Sequence, residues 1–222
     1  MKTYGQFCPV AQALEILAER WTLLIIRELL DGSHRFNEIQ RGVPAMSRTL
    51  LSQRLKTLQD CNLVVRAQRE GSTYYELTDA GEALRDIVMQ LGLWGKRYAY
   101  RGIPEQHLDP KLLMWDLQRR LRRDALPKTR TVVLFRFSDA AVGESRFWLH
   151  VDRDDVDLCF TPSGFQPELT VDTDVRTLTE VWMGYRALRT ALRDGTIRLE
   201  GNSSLCRAFP DWLALNTFAH IA

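Results

Sequence analysis

Five polar side chains recur on one side of a helix that is predicted between residues 47 and 61. All five can hydrogen-bond to base edges or phosphates: Arg48, Thr49, Ser52, Gln53 and Lys56. Leu51, Leu55 and Leu58 recur on the opposite side at helical spacing. A solvated amphipathic helix is the other interpretation, but its outer face would be expected to carry glutamate, and residues 47–59 contain none. Because an α-helix also fits the major groove, the pattern favours DNA binding.

A β-hairpin is predicted directly after this helix. Residues 63–69 and 73–77 are β-prone runs, and Glu70-Gly71-Ser72 is the turn between them. A short polar tip with basic flanks suits an element that rests on phosphates or enters the minor groove. The candidate DNA-binding residues outside the five helical side chains are Arg35, Ser47, Arg66, Arg69 and Ser72.

Charge is distributed unevenly along the 222 residues, although the formal net charge is only +2. Residues 35–69 hold seven basic and two acidic side chains, a balance of +5, whereas residues 131–222 hold nine basic and thirteen acidic ones, a balance of −4. A run of surface charge can be no more than a solvated face. The asymmetry nevertheless indicates that a polyanion binds the first half of the chain rather than the second.

The elements that must position these residues follow from apolar spacing and helix signals. An amphipathic first helix is predicted to start at Cys8-Pro9, with the apolar positions Val10, Leu14 and Leu17. A second helix is predicted from Trp21 to the stop at Asp31-Gly32, and a short third segment covers residues 35–39. Thr78 is the predicted cap of a last helix, whose apolar residues are Leu84, Ile87, Val88, Leu91 and Trp94. Three helices followed by a hairpin are the order of a winged helix, a helix-turn-helix variant.

The N-terminal half resembles the HxlR family of bacterial winged-helix transcription regulators. The segments that carry the resemblance are Cys8-Pro9-Val10, ERWTLLIIREL at 19–29, RFNEI at 35–39, SRTLLSQRLK at 47–56 and YELTDAG at 75–81. The resemblance implies a homodimer on a pseudo-palindromic operator, with dimer contacts from the first helix and the helix after the hairpin. The apolar face at residues 84–94 is the candidate contact; its other interpretation is packing on the chain's own core.

Cys8 is a candidate redox sensor, because members of this family commonly sense through a cysteine before the first helix. A helix N-terminus also favours a thiolate. The other interpretation is a small buried apolar side chain. Cys61 is expected to be structural. The four cysteines show neither a disulfide framework nor zinc-ligand spacing, so we expect reduced thiols and a cytoplasmic protein.

The C-terminal half has a different period. Residues 99–130 are predicted to be a linker with a connecting helix that Pro127 ends, and from Thr131 the apolar period changes to two. Strands are predicted at residues 132–137, 146–151, 155–160 and 169–172, followed by helices, one of them continuous from Leu178 to Leu192. The predicted fold is therefore a winged helix at 1–98 and an α+β domain at 131–222, with an antiparallel sheet and helices on one face.

Residues 131–215 resemble the sterol-carrier-protein-like lipid-binding fold. The resemblance rests on DVRTLTEVWMG at 174–184, ALRDGTIRLEG at 191–201 and Phe209-Pro210. It implies a cavity between sheet and helices that takes a small apolar ligand. The aromatic candidates for lining it are Trp148, Phe160, Phe165, Trp182, Tyr185 and Trp212, for which ordinary core packing is the alternative.

Residues for enzyme chemistry do not form a recognisable pattern. The four histidines lack metal-ligand spacing, and the sequence contains neither a phosphate-binding glycine loop nor a nucleophile elbow. The acidic cluster at Asp152, Asp154, Asp155 and Asp157 favours a solvated turn over calcium. We therefore expect no enzyme activity, metal or cofactor. The sequence predicts a dimeric bacterial transcription regulator of repressor type, switched by a small apolar ligand or by thiol modification; the alternative is a lipid or small-molecule carrier whose winged helix mediates protein contacts.

Overall fold

The computed structural model describes residues 3–125, 129–152, 155–162 and 164–219. These residues form two compact units, which meet at the bond between Gly95 and Lys96 and are called unit 1 and unit 2. Pro127, Asp154 and His220 lie outside the described residues, so the expectations that involve them stay predictions.

Along the chain, unit 1 has helices before and after a two-stranded hairpin. Its elements are α1 (Pro9–Leu17), α2 (Thr22–Leu30), α3 (Phe36–Gly42), α4 (Arg48–Asp60), β1 (Val64–Arg69), β2 (Ser72–Leu77), α5 (Asp79–Glu82) and α6 (Arg85–Trp94). A π-helical turn follows at Gly95–Ala99. The order is that of a winged helix, as predicted.

Local chemistry accounts for where the elements of unit 1 begin. The Ser47 side chain accepts a hydrogen bond from the Leu50 amide and caps α4, and Thr78 caps α5 by accepting from the Gly81 amide. The single helix predicted after Thr78 is two helices, because α5 ends at Glu82 and α6 begins at Arg85. Trp21 was predicted to be helical, but its φ of 80° is left-handed, so α2 begins one residue later.

The core of unit 1 joins α2, α3 and α4 with the hairpin. Leu51, Leu55 and Leu58 are each no more than 1% exposed, which confirms the buried stripe predicted for α4. They pack with Ile25, Ile26 and other apolar side chains of the same cluster. Burial of this stripe leaves the opposite side of α4 facing outward.

Unit 2 is built on a five-stranded sheet. Its elements are α7 (Pro110–Arg120), β3 (Thr131–Phe137), β4 (Arg146–Val151), β5 (Val156–Cys159), β6 (Leu169–Thr173), α8 (Val175–Trp182), α9 (Leu188–Arg193), β7 (Arg198–Gly201) and α10 (Ser203–Trp212). Short 3-10 helices occur at Glu105–His107 and Arg123–Ala125. The strand order is β5-β4-β3-β6-β7.

The predicted antiparallel sheet is wrong, because the sheet is mixed. β6 pairs with β3 in parallel, and the other neighbouring pairs are antiparallel. Leu169 and Val171 of β6 are fully buried, as expected of an interior strand. The period of two identified β3, β4, β5 and β6, but it carries no information about which strand lies beside which or in what direction.

The core of unit 2 lies on one face of this sheet. Alternate side chains of β3, including Val133 and Phe135, belong to the same buried cluster as residues of α7, α8 and α10, such as Phe209. The helix predicted to be continuous from Leu178 to Leu192 is two helices. Gly184 between them has a φ of 75°, and a Cβ there would lie 2.3 Å from the Ala219 carbonyl oxygen.

Among the helices of the described residues, none is both long enough and apolar enough to cross a membrane.

Candidate nucleic-acid interface

The outward side of α4 carries the five polar side chains that the sequence singled out. Arg48, Thr49, Ser52, Gln53 and Lys56 are all exposed, opposite the buried leucines. The side chains of Thr49, Ser52 and Gln53 have no hydrogen-bond partner among the residues that the structure describes. The centre of this face therefore presents hydroxyl and amide groups that are free to bond to a partner outside the chain.

The two basic residues of this face contact other side chains of unit 1. Arg48 Nη2 donates to Asn37 Oδ1 at 2.9 Å, and its guanidinium lies 4.8 Å from the Phe36 ring centroid. Lys56 Nζ lies 2.5 Å from Asp60 Oδ1 one turn along α4. Both contacts are at the surface, where an ion pair contributes little stability and can be exchanged for a phosphate.

The hairpin predicted after α4 is present, and its turn has two residues rather than the predicted three. Glu70 and Gly71 have φ values of 51° and 77°, and Arg69 pairs with Ser72 across the turn. Positive φ at both central residues is the geometry of a type I′ turn. Ser72 was predicted to lie in the turn, but it is the first residue of β2 and is half-buried.

Arg66 and Arg69 project to opposite faces of the hairpin, because residues separated by an odd number of positions alternate along a strand. Arg69 pairs with Glu76 at 2.7 Å, whereas Arg66 Nη2 approaches Thr73 Oγ1 at 3.5 Å. The sequence assigned both arginines to the flanking DNA backbone. The structure places them on opposite faces of the wing, and contact of either arginine with DNA stays a prediction.

Tyr74 is a residue of this site that the sequence reasoning missed. Arg35 Nη2 donates to the Tyr74 hydroxyl at 2.6 Å, and the guanidinium groups of Arg35 and Arg69 lie 5.1 and 5.8 Å from the Tyr74 ring centroid. The hydrogen bond with Tyr74 raises the pKa of Arg35 above its usual value. Tyr74 thus ties the start of α3 to the wing. The sequence did offer a signal for this residue, namely a tyrosine on a strand of a hairpin whose tip has basic flanks.

Cys8 is the residue immediately before α1, with Pro9 as the first helical residue, and it is half-buried. All four cysteines are free thiols: Cys8, Cys61, Cys159 and Cys206. Within the described ranges, the structure groups no three metal-binding side chains in a way that could hold an ion.

Apolar side chains of α1 and α6 are exposed. Val10 and Leu14 of α1 are 65% and 43% exposed, so most of the apolar side chains predicted for the buried side of this helix face outward. In the predicted apolar face at residues 84–94, Leu84 and Val88 pack on the core of unit 1. The other three side chains are exposed: Ile87, Leu91 and Trp94. Packing on the chain's own core therefore holds for Leu84 and Val88, and the dimer contact stays a prediction for the three exposed residues.

The six aromatic candidates of unit 2 do not converge on one cavity. Trp182 and Trp212 are buried in the core that the helices share with the sheet, whereas Trp148 alternates with the core residue Phe147 and so lies on the opposite face. Phe160 and Phe165 are exposed. Tyr185 stacks on Tyr100 with ring centroids 4.1 Å apart, and burial raises its pKa. A cavity for an apolar ligand stays a prediction.

Comparisons with known proteins match the N-terminal part of the chain. Residues 16–103 match the model of the HxlR-like helix-turn-helix family. The regulator YvaP of Bacillus subtilis is 37% identical over 98 residues, which are 42% of this chain and 91% of that protein. The regulator YodB of the same organism is 33% identical over 99 residues, which are 43% of this chain and 88% of YodB.

Solved structures of similar proteins include the reduced form of YodB. It is 32% identical and covers 44% of this chain and all of that one, with a TM-score of 0.39. The reduced form of the redox regulator HypR is 30% identical and covers 40% of this chain and 91% of that one, with a TM-score of 0.37.

The arrangement of helices, wing and exposed polar helix face defines a winged helix-turn-helix protein. This chain belongs to the HxlR-like helix-turn-helix family. It is a DNA-binding transcriptional regulator and not an enzyme. The match ends at residue 103, so the resemblance of residues 131–215 to a sterol-carrier-like fold stays a prediction.

Proposed function

We propose that this protein is a homodimeric repressor that binds a pseudo-palindromic operator. In this proposal, the outward side of α4 reads base edges in the major groove, and Arg35, Arg66 and Arg69 bind the flanking backbone. One observation carries the proposal: three exposed side chains of α4 have no hydrogen-bond partner among the described residues, and they lie opposite the buried leucine stripe. These side chains are Thr49, Ser52 and Gln53. Phosphate contacts orient such a helix and base contacts give it specificity.

The exposed apolar side chains of α1 and α6 support the homodimer. Val10, Leu14, Leu91 and Trp94 each leave about half or more of their surface open. Large apolar side chains clustered on two helices mark interaction sites in soluble proteins. A dimer places two α4 helices about one turn of DNA apart, so a pseudo-palindromic operator follows from its symmetry.

Control of binding is proposed to act through Cys8. Its thiol stands at the start of α1, the helix that carries the exposed Val10 and Leu14. Modification there changes charge and bulk beside the proposed dimer surface, and a shift of a few ångströms between the two α4 helices weakens operator binding. A small apolar ligand in unit 2 is the other proposed signal; the scatter of its aromatic candidates gives it less support. Both signals fit a cytoplasmic bacterial regulator.

The test of DNA reading is fluorescence anisotropy at near-physiological salt. The full chain is titrated with labelled intergenic DNA from beside its own gene and with scrambled DNA. We expect a preference of about a thousandfold for the native sequence. Gln53→Ala is expected to weaken specific binding by about 5- to 150-fold, the equivalent of about 1–3 kcal/mol for a good base contact. Non-specific binding should change little.

Gln106→Ala is the matched control, because Gln106 is an exposed glutamine in unit 2. It should bind both DNAs as the unchanged protein does. A selection over whole-genome DNA fragments follows if the intergenic DNA is not preferred. If every variant binds all selected fragments weakly and with equal affinity, the result contradicts the proposal and favours the carrier function.

The thiol signal is tested in the same assay with the disulfide-forming oxidant diamide. We expect oxidant to weaken operator binding by the unchanged protein and by Cys206→Ser, but not by Cys8→Ser. Loss of binding in all three proteins would show that Cys8 is not the sensor.

A further inference from the structure

Four charged side chains form one lateral row across four neighbouring strands of unit 2. Arg136 of β3 lies directly opposite Arg146 of β4 on one side and Asp172 of β6 on the other, and Asp172 lies opposite Arg198 of β7. Residues directly opposite one another project to the same face of a sheet. Phe135 and Phe137 are buried in the helical core, so the row lies on the face that the core does not use.

Among the residues that the structure describes, only the centre of this row has an ion-pair partner. Arg136 donates from Nε and Nη2 to the two carboxylate oxygens of Asp172, each at 2.5 Å, and its Nη2 also lies 3.5 Å from Glu200. Arg146 and Arg198 are exposed and have no ion-pair partner among the described residues. Arg136 is thus held in place, while the two outer guanidinium groups remain available.

The row is unfavourable for the folded chain alone. Arg136 and Arg146 are like charges directly opposite each other on neighbouring strands, an arrangement that lowers sheet stability. Residues 131–222 carry a balance of −4, with only nine basic side chains in all. Three of these nine stand in this one row, so the row is not part of a generally basic surface.

A cavity of about 370 Å³ lies over the row. Its lining includes the three arginines together with Ser138 and Ser145. The carboxylates of Asp172 and Asp174 also line it, and these already accept hydrogen bonds from Arg136 and Thr177, respectively. This volume is typical of a site for a small molecule. Guanidinium groups bind carboxylates and phosphates through charge-assisted hydrogen bonds, and hydroxyl groups complement a polar ligand.

We propose that this groove binds a small organic anion that carries a phosphate or carboxylate group. Arg146 and Arg198 approach the anionic group from the two ends of the row, and the fixed Arg136 supplies a donor at its centre. A DNA backbone is a poorer occupant, because the acidic residues of the same unit repel a long polyanion. The proposal does not depend on the proposed operator binding, since it concerns residues of unit 2 alone.

The test is isothermal titration calorimetry of the full chain with two probes, inorganic phosphate and citrate, at constant ionic strength. We expect saturable binding of at least one probe, and the comparison tells phosphate from carboxylate chemistry. Arg146→Ala and Arg198→Ala should each weaken binding by about tenfold or more, since each removes a charge-assisted hydrogen bond. Arg146→Ala should not melt at a lower temperature, because it relieves the repulsion between Arg146 and Arg136.

Arg189→Ala is the matched control, since Arg189 is an exposed arginine of the same unit outside the groove. It should bind the probe as the unchanged protein does. Weakening by all three substitutions alike, or saturable binding of neither probe, would overturn the proposal. Loss of operator affinity in Arg146→Ala and Arg198→Ala without any probe binding would instead assign the row to DNA.

Discussion

Glu28 is a fully buried carboxylate that joins three segments of unit 1. Its Oε1 accepts from Arg27 Nη2 at 2.6 Å, its Oε2 accepts from the Ser33 hydroxyl at 3.3 Å, and Arg27 also donates to the Gly42 carbonyl oxygen. Gly42 is the last residue of α3, and a Cβ there would lie 1.9 Å from the Glu28 carboxylate. A side chain at position 42 would therefore displace a buried charge from its partners.

Gly42→Ala is predicted to destabilise the protein by about 3 kcal/mol, because the added methyl group overpacks the site and disturbs a buried ion pair. Urea denaturation, followed by a spectroscopic signal from unit 1, measures the change in the free energy of unfolding. Gly95→Ala is the control: a Cβ at Gly95 meets nothing within 4 Å, and its backbone is helical, so stability should hold or rise slightly. Equal stability of the two variants would contradict the role of Gly42.

Tyr74→Phe is predicted to weaken operator binding by about two- to tenfold while lowering stability by less than about 1 kcal/mol. The substitution removes the hydroxyl that holds Arg35 but keeps the ring, so it tests positioning of Arg35 rather than folding. Anisotropy and urea denaturation measure the two effects. Tyr75→Phe on the same strand should leave affinity unchanged, and unchanged affinity in both variants would mean that Tyr74 does not position Arg35.

Among the secondary-structure elements, the turn between α9 and β7 is held by one carboxylate. Asp194 Oδ1 accepts from the Thr196 hydroxyl at 2.7 Å, and its Oδ2 accepts from Arg186 at 2.7 Å. The hydrogen bond from Thr196 and that from Arg186 lower the pKa of Asp194 below its usual value. A carboxylate whose pKa is lower in the folded state stabilises the fold above its unfolded pKa, and this contribution is lost as pH falls through the folded pKa.

Thr196→Val is therefore predicted to raise the pKa of Asp194 towards its ordinary value. The stabilisation that Asp194 contributes near neutral pH should then shrink, and the stability of the variant should fall less steeply than that of the unchanged protein as the pH drops below about 4. An NMR titration of the Asp194 carboxyl carbon measures the pKa, and thermal melting between pH 3 and 7 measures the stability. In an Asp194→Asn background, Thr196→Val should no longer alter the pH dependence; if it does, another group is responsible.

At the scale of the whole molecule, the proposed dimer depends on exposed apolar side chains of α1 and α6 in unit 1. Leu91→Glu on α6 is predicted to convert the proposed dimer to a monomer of 25.7 kDa, because a charge in the centre of an apolar contact is desolvated without a partner. Leu91 is 48% exposed, so the fold should be retained. Light scattering after gel filtration measures the mass, and operator binding should fall in parallel.

Gln90→Glu is the control for this experiment, since it introduces the same charge one residue away on α6 at an exposed position. It should remain a dimer. A monomeric unchanged protein that still binds its operator specifically would contradict the dimer.

Local patterns allowed much of the DNA-binding element to be predicted. The leucine stripe and polar face of α4 follow from a period of 3.6, and the hairpin turn follows from Glu70-Gly71, because both depend on residues close together in the chain. Ser47 and Thr78 were recognisable as caps for the same reason. The order of helices, hairpin and helix then indicated the winged helix.

Long-range pairing decided the rest. Apolar spacing marked Val10, Ile87 and Leu91 as helix-face residues, but only packing showed that they stay outside the core of unit 1. The alternation of β3 and β6 identified two strands without revealing that they are parallel neighbours. Their register places Arg136 between Arg146 and Asp172, residues 10 and 36 positions away in the chain. Contacts of that kind arise from the pairing of strands and the packing of helices, which hydrophobic period does not encode, so only the tertiary structure could place these charges together.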